Sequence, residues 1–478
     1  MLLHTPLYLA FLTLTVLLYW ATPKQNWRKL ILLGASYVFY VSFDWRFALI
    51  LSLLTLVVFW LGGKISDNAH SKIFAWLSAI VNLGVLVVFK YTNFFLGSLQ
   101  TALTTLGFEY MPVGLQLLLP IGISFYTFQA ISYTTEIYRK KLDPVDFLDF
   151  ALYLSFFPKL IAGPLVRPRH FLEQLNKPKE KLQVSNIYSA LGLLLLGLMK
   201  KVLIADSLGV LGNVAFRAAG MPSAGSPFPT PLYLQGFYLY AFQIYADFSG
   251  YTDIARASAA LLGFNLPENF QQPYLATSIT QFWNRWHMTL TQWFREYLFF
   301  PLSRKLLIRT HRSYPRVVQI SANLITMTLI GLWHGAGWTF VIWGFWHGLL
   351  LSIDAITGIK PVHRWQKIIM GVITFHLVGV GWVLFGAGSF PAALHYLTGL
   401  FEFQQMGWIT HYLPSILFTA ILVFGIDLYQ VGKLRVPYLY KYNWRPVVVV
   451  AGVVVITALT LLNMAHGAEA RPFIYGQF

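Results

Sequence analysis

Cysteine is absent from this sequence, which removes disulfides, thiolate nucleophiles and thiolate metal ligands at once. Charge is scarce: only 11% of the 478 residues are Asp, Glu, Lys or Arg, against 56% hydrophobic and 17% aromatic. That is too little charge to solvate a globular surface of this size, so a water-soluble fold is excluded. Acidic residues are the scarcer sign, 18 against 35 basic, leaving a formal net charge of +17. Such an excess can serve nucleic acid, but its distribution argues against that. The basic residues form short clusters between apolar runs: Lys24, Arg28 and Lys29, then Arg139 to Lys141, Arg304 to Arg316, Lys360 to Lys367, and Lys433 to Arg445. They read as loop charges retained on the cytoplasmic side of a bilayer. Lipid is therefore the expected surround, and no nucleic-acid partner is expected.

Also missing are a His-Glu-x-x-His pair, a Gly-x-Ser-x-Gly elbow, a phosphate-binding loop, a dinucleotide fingerprint and any fixed-period repeat. What is present is a succession of uncharged apolar stretches, for example 5 to 22, 47 to 63, 189 to 199, 320 to 333 and 446 to 463. Several approach the roughly 20 residues that cross a hydrocarbon core, and we expect an all-α polytopic membrane protein of roughly ten to twelve transmembrane helices plus re-entrant or interfacial helices. With the first basic cluster inside, the 5 to 22 stretch starts outside. No small-residue cleavage site follows it, so it reads as a retained helix. Arg445 inside sends the last helix outward, which puts the tail from His466 to Phe478 on the far side with the N-terminus. The chain is read as one membrane-embedded unit, 1–478. Residues 1–119 form N-terminal scaffold helices, 120–355 a catalytic core, and 356–478 the C-terminal helices and extracytoplasmic tail. Ala218 to Pro231, rich in Gly, Pro, Ser and Ala, is expected to be an outer loop, and Ser278 to Leu306 an amphipathic or re-entrant helix.

Four constellations can carry chemistry. In the first, Trp283, Trp286 and His287 precede Trp293 to Tyr297; on a helix Trp283 and His287 share a face. A satisfied interfacial histidine and an aromatic belt are the plainer readings of these residues. In the second, Gly331 to Trp338, His334 follows Trp333 at the end of an apolar run and precedes a small-residue break. An ionisable group at membrane depth is a functional candidate by default. His347 lies further on, as a packing or supporting histidine. The third starts at Pro120 and holds Ser124 and Tyr126; Gln129, Tyr133 and Glu136 then form one polar stripe if the segment is helical. Such a stripe either bonds a neighbouring helix or lines a passage. In the fourth, Gln243 and Asp247 share a face and Asp253 can pair with Arg256. Asp247 has no local cation, and either orients a histidine or anchors a structural network. The histidines are not at metal-ligand spacing, so no metal is expected.

Taken in order, these segments resemble the membrane-bound O-acyltransferase family, in its bacterial branch similar to alginate O-acetylases and the D-alanyl transfer protein of teichoic acids. The resemblance rests on the runs from Pro120 to Phe125, Phe156 to Pro164, and Gln243 to Tyr251. It continues through Trp286 and His287, Gly331 to Gly335, and Phe473 to Phe478. It covers most of the chain from Pro120 onward. Three positions depart from the expected pattern: Asn284 for arginine, Glu136 for aspartate and Gly476 for an aromatic.

The resemblance implies a ring of helices around a central funnel or tunnel, with His334 at the catalytic position and His287 at the second active-site position. It also implies transfer of a short acyl group, most simply acetyl, onto a hydroxyl of an extracytoplasmic polysaccharide or cell-envelope polymer. The donor would be a thioester such as acetyl-CoA, with no tightly bound cofactor, and an extracytoplasmic acyltransferase partner protein can stand between enzyme and polymer. The expected location is the cytoplasmic (inner) membrane. Trp283, Trp286, Trp333, Asp247, Gln243, Gln129, Tyr126 and Ser124 are the candidate supporting or substrate-binding residues.

Overall fold

The structure is a computed structural model that describes every residue except 68–69, 109–113, 115–116, 178–182, 222–227, 434–445, 466–470 and 475–478. The middle of the outer-loop expectation at 218–231, nearly all of the last basic cluster and the final four residues of the tail therefore lie outside the described residues. Within the described residues the elements are all helical.

Among the described residues, seven helices are by themselves long and apolar enough to cross a bilayer. The larger number expected from sequence takes in helices that miss one criterion. Pro6–Ala21 is apolar but has only 16 residues, and Thr230–Leu261 has 32 residues with polar groups through its middle. The first helix starts as local chemistry dictates, with the Thr5 hydroxyl accepting from the Tyr8 N–H and Pro6 in the first turn.

Thr230–Leu261 is the central helix and is buried on nearly every face. A helix sheathed by others need not be apolar, because its polar groups meet protein and not lipid. Its neighbour Val184–Gly220 crosses it where Gly197 meets Gly250. A Cβ on Gly197 would lie 2.8 Å from the Gly250 carbonyl oxygen, and one on Gly250 would lie 2.9 Å from the Gly197 oxygen. Only glycines allow that approach. Just past the crossing, a π-helical turn at Met199–Ala205 brings two consecutive lysines inward. Lys200 pairs with Asp253 at 2.8 Å, and Lys201 with Asp247 at 2.7 Å and Asp206 at 2.9 Å. Asp253 also faces Arg256 at 3.8 Å, the pair expected from their spacing.

The N-terminal helices are bonded onto this centre. Tyr8 donates to the Ser258 hydroxyl at 2.8 Å and Trp20 Nε1 to the Leu261 carbonyl at 2.8 Å, while Lys29 ties the second helix to the short helix Phe147–Ser155 through Asp149 at 2.5 Å.

Pro315–His334 and Trp338–Thr357 form a close hairpin. Cβ atoms on Gly331 and Gly344 would fall 2.1 Å from the Phe340 oxygen and 2.2 Å from the Met327 oxygen. Backbone blocks both, so no side-chain rotation relieves the clash. Gly344→Leu should cost more than the about 1–3 kcal/mol of ordinary overpacking. We expect loss of the monodisperse, thermally cooperative species in detergent; a wild-type unfolding midpoint would show that the helices separate freely.

The stretch from Ser278 is not one amphipathic helix. It divides into Ile279–Trp283, Met288–Phe294, a π-helical turn at Arg295–Phe299, and Phe300–Arg309. The first break is at His287, whose backbone is left-handed at φ 42°, ψ 50°. Trp283 and His287 therefore share no helical face. For a residue other than glycine this conformation is costly and is held by its surroundings.

Candidate active site

His334 is the last residue of its helix, and His287 sits at the break between two short helices, so both occupy chain ends where side chains can converge. Their ring centroids are 6.4 Å apart. His287 is fully buried and His334 is 5% exposed. Aromatic rings fix both from several sides. Trp333 lies edge-on to each, at 6.3 Å from His287 and 4.9 Å from His334. Phe248 meets His287 at 4.6 Å and 87°, while Trp343 and Phe385 flank His334 at 5.1 and 5.5 Å. Gly335 follows His334 because a Cβ there would strike the Phe340 ring at 2.1 Å.

The end of the histidine helix is held by two residues that sequence reasoning missed. Lys90 Nζ donates to the Trp333 and His334 carbonyls at 2.7 and 3.0 Å, and Tyr91 donates to the Leu332 carbonyl at 2.8 Å. Three consecutive carbonyls at the C-terminus of that helix are thus satisfied by a π-helical turn, Val87–Tyr91, in the segment read as scaffold. A signal existed, since Lys90 is a charge inside a 35-residue apolar helix, Ser71–Thr105.

A cavity of about 60 Å³ opens beside this helix end and is lined by Lys90, Ser124, Phe125, Trp333 and His334. It has room for a small group of a few heavy atoms. Ser124 thus stands beside His334 at this cavity. So does the Pro120 segment, where Gly122, at φ 81°, approaches Leu160 so closely that a Cβ would lie 2.6 Å from its carbonyl oxygen. Two of the sequence motifs interlock at this point.

The other candidates lie further out. Trp283 and Trp286 form an aromatic layer behind the pair; Trp283 meets His347 at 5.2 Å and Trp286 meets Trp382 at 4.8 Å. His347 is fully buried between Trp283 and Trp343, without a hydrogen-bond partner among the described residues. Gln129 accepts from Lys159, which lies over the Tyr153 and Phe171 rings at 4.6 and 5.2 Å. Tyr133 and Glu136 accept from the Val145 N–H and the Tyr297 hydroxyl, so the polar stripe bonds neighbouring segments. Tyr126 is buried on the same helix and lines no part of the His334 cavity.

Asp247 does not orient a histidine through its carboxylate. One oxygen takes Lys201 and the other accepts the Ile474 N–H at 2.8 Å, so it ties the tail to the central helix. Its cation came from the preceding helix, which sequence spacing could not reveal. Phe473, beside Ile474, is buried and stacks on Tyr251 at 4.7 Å and against Phe248 at 5.1 Å. Through Phe248 the tail reaches the histidine pair.

A model of the membrane-bound O-acyltransferase family matches residues 69–367. That range holds Lys90, His287 and His334. The chain belongs to the membrane-bound O-acyltransferase family. This acyltransferase is 38% identical over 400 residues to a probable alginate O-acetylase of Azotobacter vinelandii, covering 82% of this chain and 76% of that protein. It is 34% identical to a peptidoglycan O-acetyltransferase of Helicobacter pylori, over 84% of this chain and 80% of the relative. It is 30% identical to a teichoic acid D-alanyltransferase of Bacillus subtilis, over 56% and 69% respectively. The acyltransferase is accordingly a multi-pass membrane enzyme.

Proposed function

We propose that this enzyme moves a short acyl group, most simply acetyl, from a cytoplasmic thioester such as acetyl-CoA to a hydroxyl of an extracytoplasmic polysaccharide or cell-envelope polymer, directly or through a partner protein. The observation that carries the reading is the buried His287–His334 pair, 6.4 Å apart, with His334 facing a small cavity. The names of the relatives supply the chemistry: one is a probable alginate O-acetylase, one a peptidoglycan O-acetyltransferase and the third a teichoic acid D-alanyltransferase.

In this scheme the uncharged His334 imidazole takes the proton of the acceptor hydroxyl as its oxygen bonds to the thioester carbonyl carbon. The C–S bond then breaks, and the thiolate leaves with the proton held by His334. His287 donates a hydrogen bond to the oxyanion formed between the two steps. Lys90 and Tyr91 keep the His334 end of the helix in register.

Chain parity supports the sidedness. One crossing for each of Pro6–Ala21, Gln25–Val41, Trp45–Asp67, Ser71–Thr105 and Ile123–Tyr138 puts Lys24 and Arg139 on one side and Met1 on the other. The same alternation carried from Pro315 to Ala465 would leave Arg304 and Lys360 on one side and the end of the last helix opposite, in keeping with an outward tail. With basic loops inside, both termini face outward, in the cytoplasmic membrane of the cell.

The test is transfer of radiolabelled acetyl from acetyl-CoA on the cytoplasmic face of reconstituted vesicles, with a hydroxyl acceptor on the other face. Label on the far-side acceptor is expected. Label confined to the donor side would overturn the transmembrane scheme, and no transfer from any thioester would overturn the donor class.

A further inference from the structure

Neither histidine lines a second cavity, of about 720 Å³, that carries both charged and apolar walls. That lies within the about 300–1,000 Å³ of ordinary ligand pockets. It opens between the helices Val184–Gly220, Thr230–Leu261 and Arg364–Gly386 and the described part of the tail.

Its floor is already satisfied, because Lys201 bonds both Asp206 and Asp247. Its walls are not. Gln243 is 93% buried, from 7% exposure, and its Oε1 has no hydrogen-bond partner among the described residues. A buried acceptor left unmet is costly unless a ligand or water supplies the donor. Glycine at 209 makes the space, since a Cβ there would lie 2.6 Å from Gln243 Nε2 and 3.2 Å from an Arg471 guanidinium nitrogen.

Arg217 has no ion pair or hydrogen bond among the described residues, and Arg471 bonds only the Asp206 carbonyl, at 3.2 Å. Three cations (Lys201, Arg217, Arg471) against two carboxylates (Asp206, Asp247) leave the cavity one positive charge in excess. The rings of Phe216 and Tyr240, 4.7 Å apart, form an apolar wall beside these groups.

An unmet acceptor wants a hydroxyl donor, a guanidinium with free N–H groups wants a carboxylate, and aromatic faces suit the C–H face of a sugar ring. We propose that this cavity is the docking subsite for an acidic saccharide unit of the acceptor. Its carboxylate meets Arg217 and Arg471, a hydroxyl donates to Gln243 Oε1, and the ring lies against Phe216 and Tyr240. This rests on the polysaccharide acceptor proposed above.

Two separate elements set the subsite one residue from the chemistry. Asp247 lines the cavity while the next residue, Phe248, meets His287 at 4.6 Å. Gly386 lines it while the preceding Phe385 meets His334 at 5.5 Å.

The experiment is calorimetric binding to the full chain in detergent, using an oligomer of mannuronate and a neutral cello-oligosaccharide of equal length. Wild type should bind the acidic oligomer about tenfold or more tightly than the neutral one, the size expected for charge-assisted bonds. Arg217→Gln with Arg471→Gln should remove that preference, and Gln243→Leu should weaken both ligands alike. Because Arg471 is itself a tail residue, Arg217→Gln alone is included; this exposed side chain, unpaired among the described residues, can be changed without disturbing the fold. Equal binding of the two oligomers, no binding by wild type, or a preference untouched in the arginine variants would each overturn the subsite. Acetyl transfer to a small neutral alcohol is followed in the same preparations. Loss of transfer with variant-sensitive binding intact would sink the acyl-transfer reading alone, and transfer without binding would sink the subsite alone.

Discussion

His334→Ala is expected to lower acyl transfer by about 10²- to 10⁴-fold, the usual range for removing a general base, while the protein remains folded and inserted. The side chain is small in its structural role: its helix end is held through backbone carbonyls, which Lys90 and Tyr91 bind whatever residue stands at 334. The surrounding rings of Trp333, Trp343 and Phe385 also remain. Activity should therefore fall without a matching fall in the unfolding midpoint. His287→Ala should lose about 10²- to 10³-fold, as removal of an oxyanion donor does. Its left-handed backbone is a separate matter, since alanine tolerates φ 42° no better than histidine does. His287→Asn keeps both a donor and a tolerance for that conformation, and should recover part of the rate. Full activity in His334→Ala would remove the histidine mechanism. Equal losses of activity and stability would instead make the residue a structural one.

Much of this site was legible because the chemistry of a membrane interior is restrictive. A histidine ending an apolar run, as His334 does, has few plain explanations at that depth, and the break of Gly335 to Gly337 marked a helix end. His287 was found with its neighbours, but its geometry was not. The periodicity of Trp283 to His287 fits a helix, and the left-handed turn that breaks it is imposed by packing between the central helix and Trp333, which no local pattern encodes. Asp247 was recognised as needing a cation, yet Lys201 lies 46 residues earlier and faces inward only because a π-helical turn rotates it there. Lys90 was the clearest loss. Its segment is otherwise so apolar that it read as scaffold, although a lysine in the middle of such a helix is itself the signal.

The Lys201 network gives the second large effect. Lys201→Met removes the shared partner of Asp206 and Asp247, and Asp247 is 99% buried, from 1% exposure. Breaking a buried pair from one side costs about 3–5 kcal/mol, because the remaining charge is left without compensation. A clear fall in the unfolding midpoint is expected, together with faster proteolytic cleavage near Arg471, since Asp247 also holds the Ile474 N–H. Lys201→Met with Asp247→Leu should recover much of the stability, as replacement of both charges by apolar groups often does. It should not recover the tail, because leucine offers no acceptor for Ile474. Stability and tail protection would thereby separate in one pair of variants. If the double variant restored both, the tail would be held by Phe473 stacking on Tyr251 and Phe248, and the carboxylate would be dispensable for docking it. If Lys201→Met were as stable as wild type, Asp247 would have to meet its needs from water entering the adjoining cavity, and the floor of that cavity would be wet in the resting enzyme.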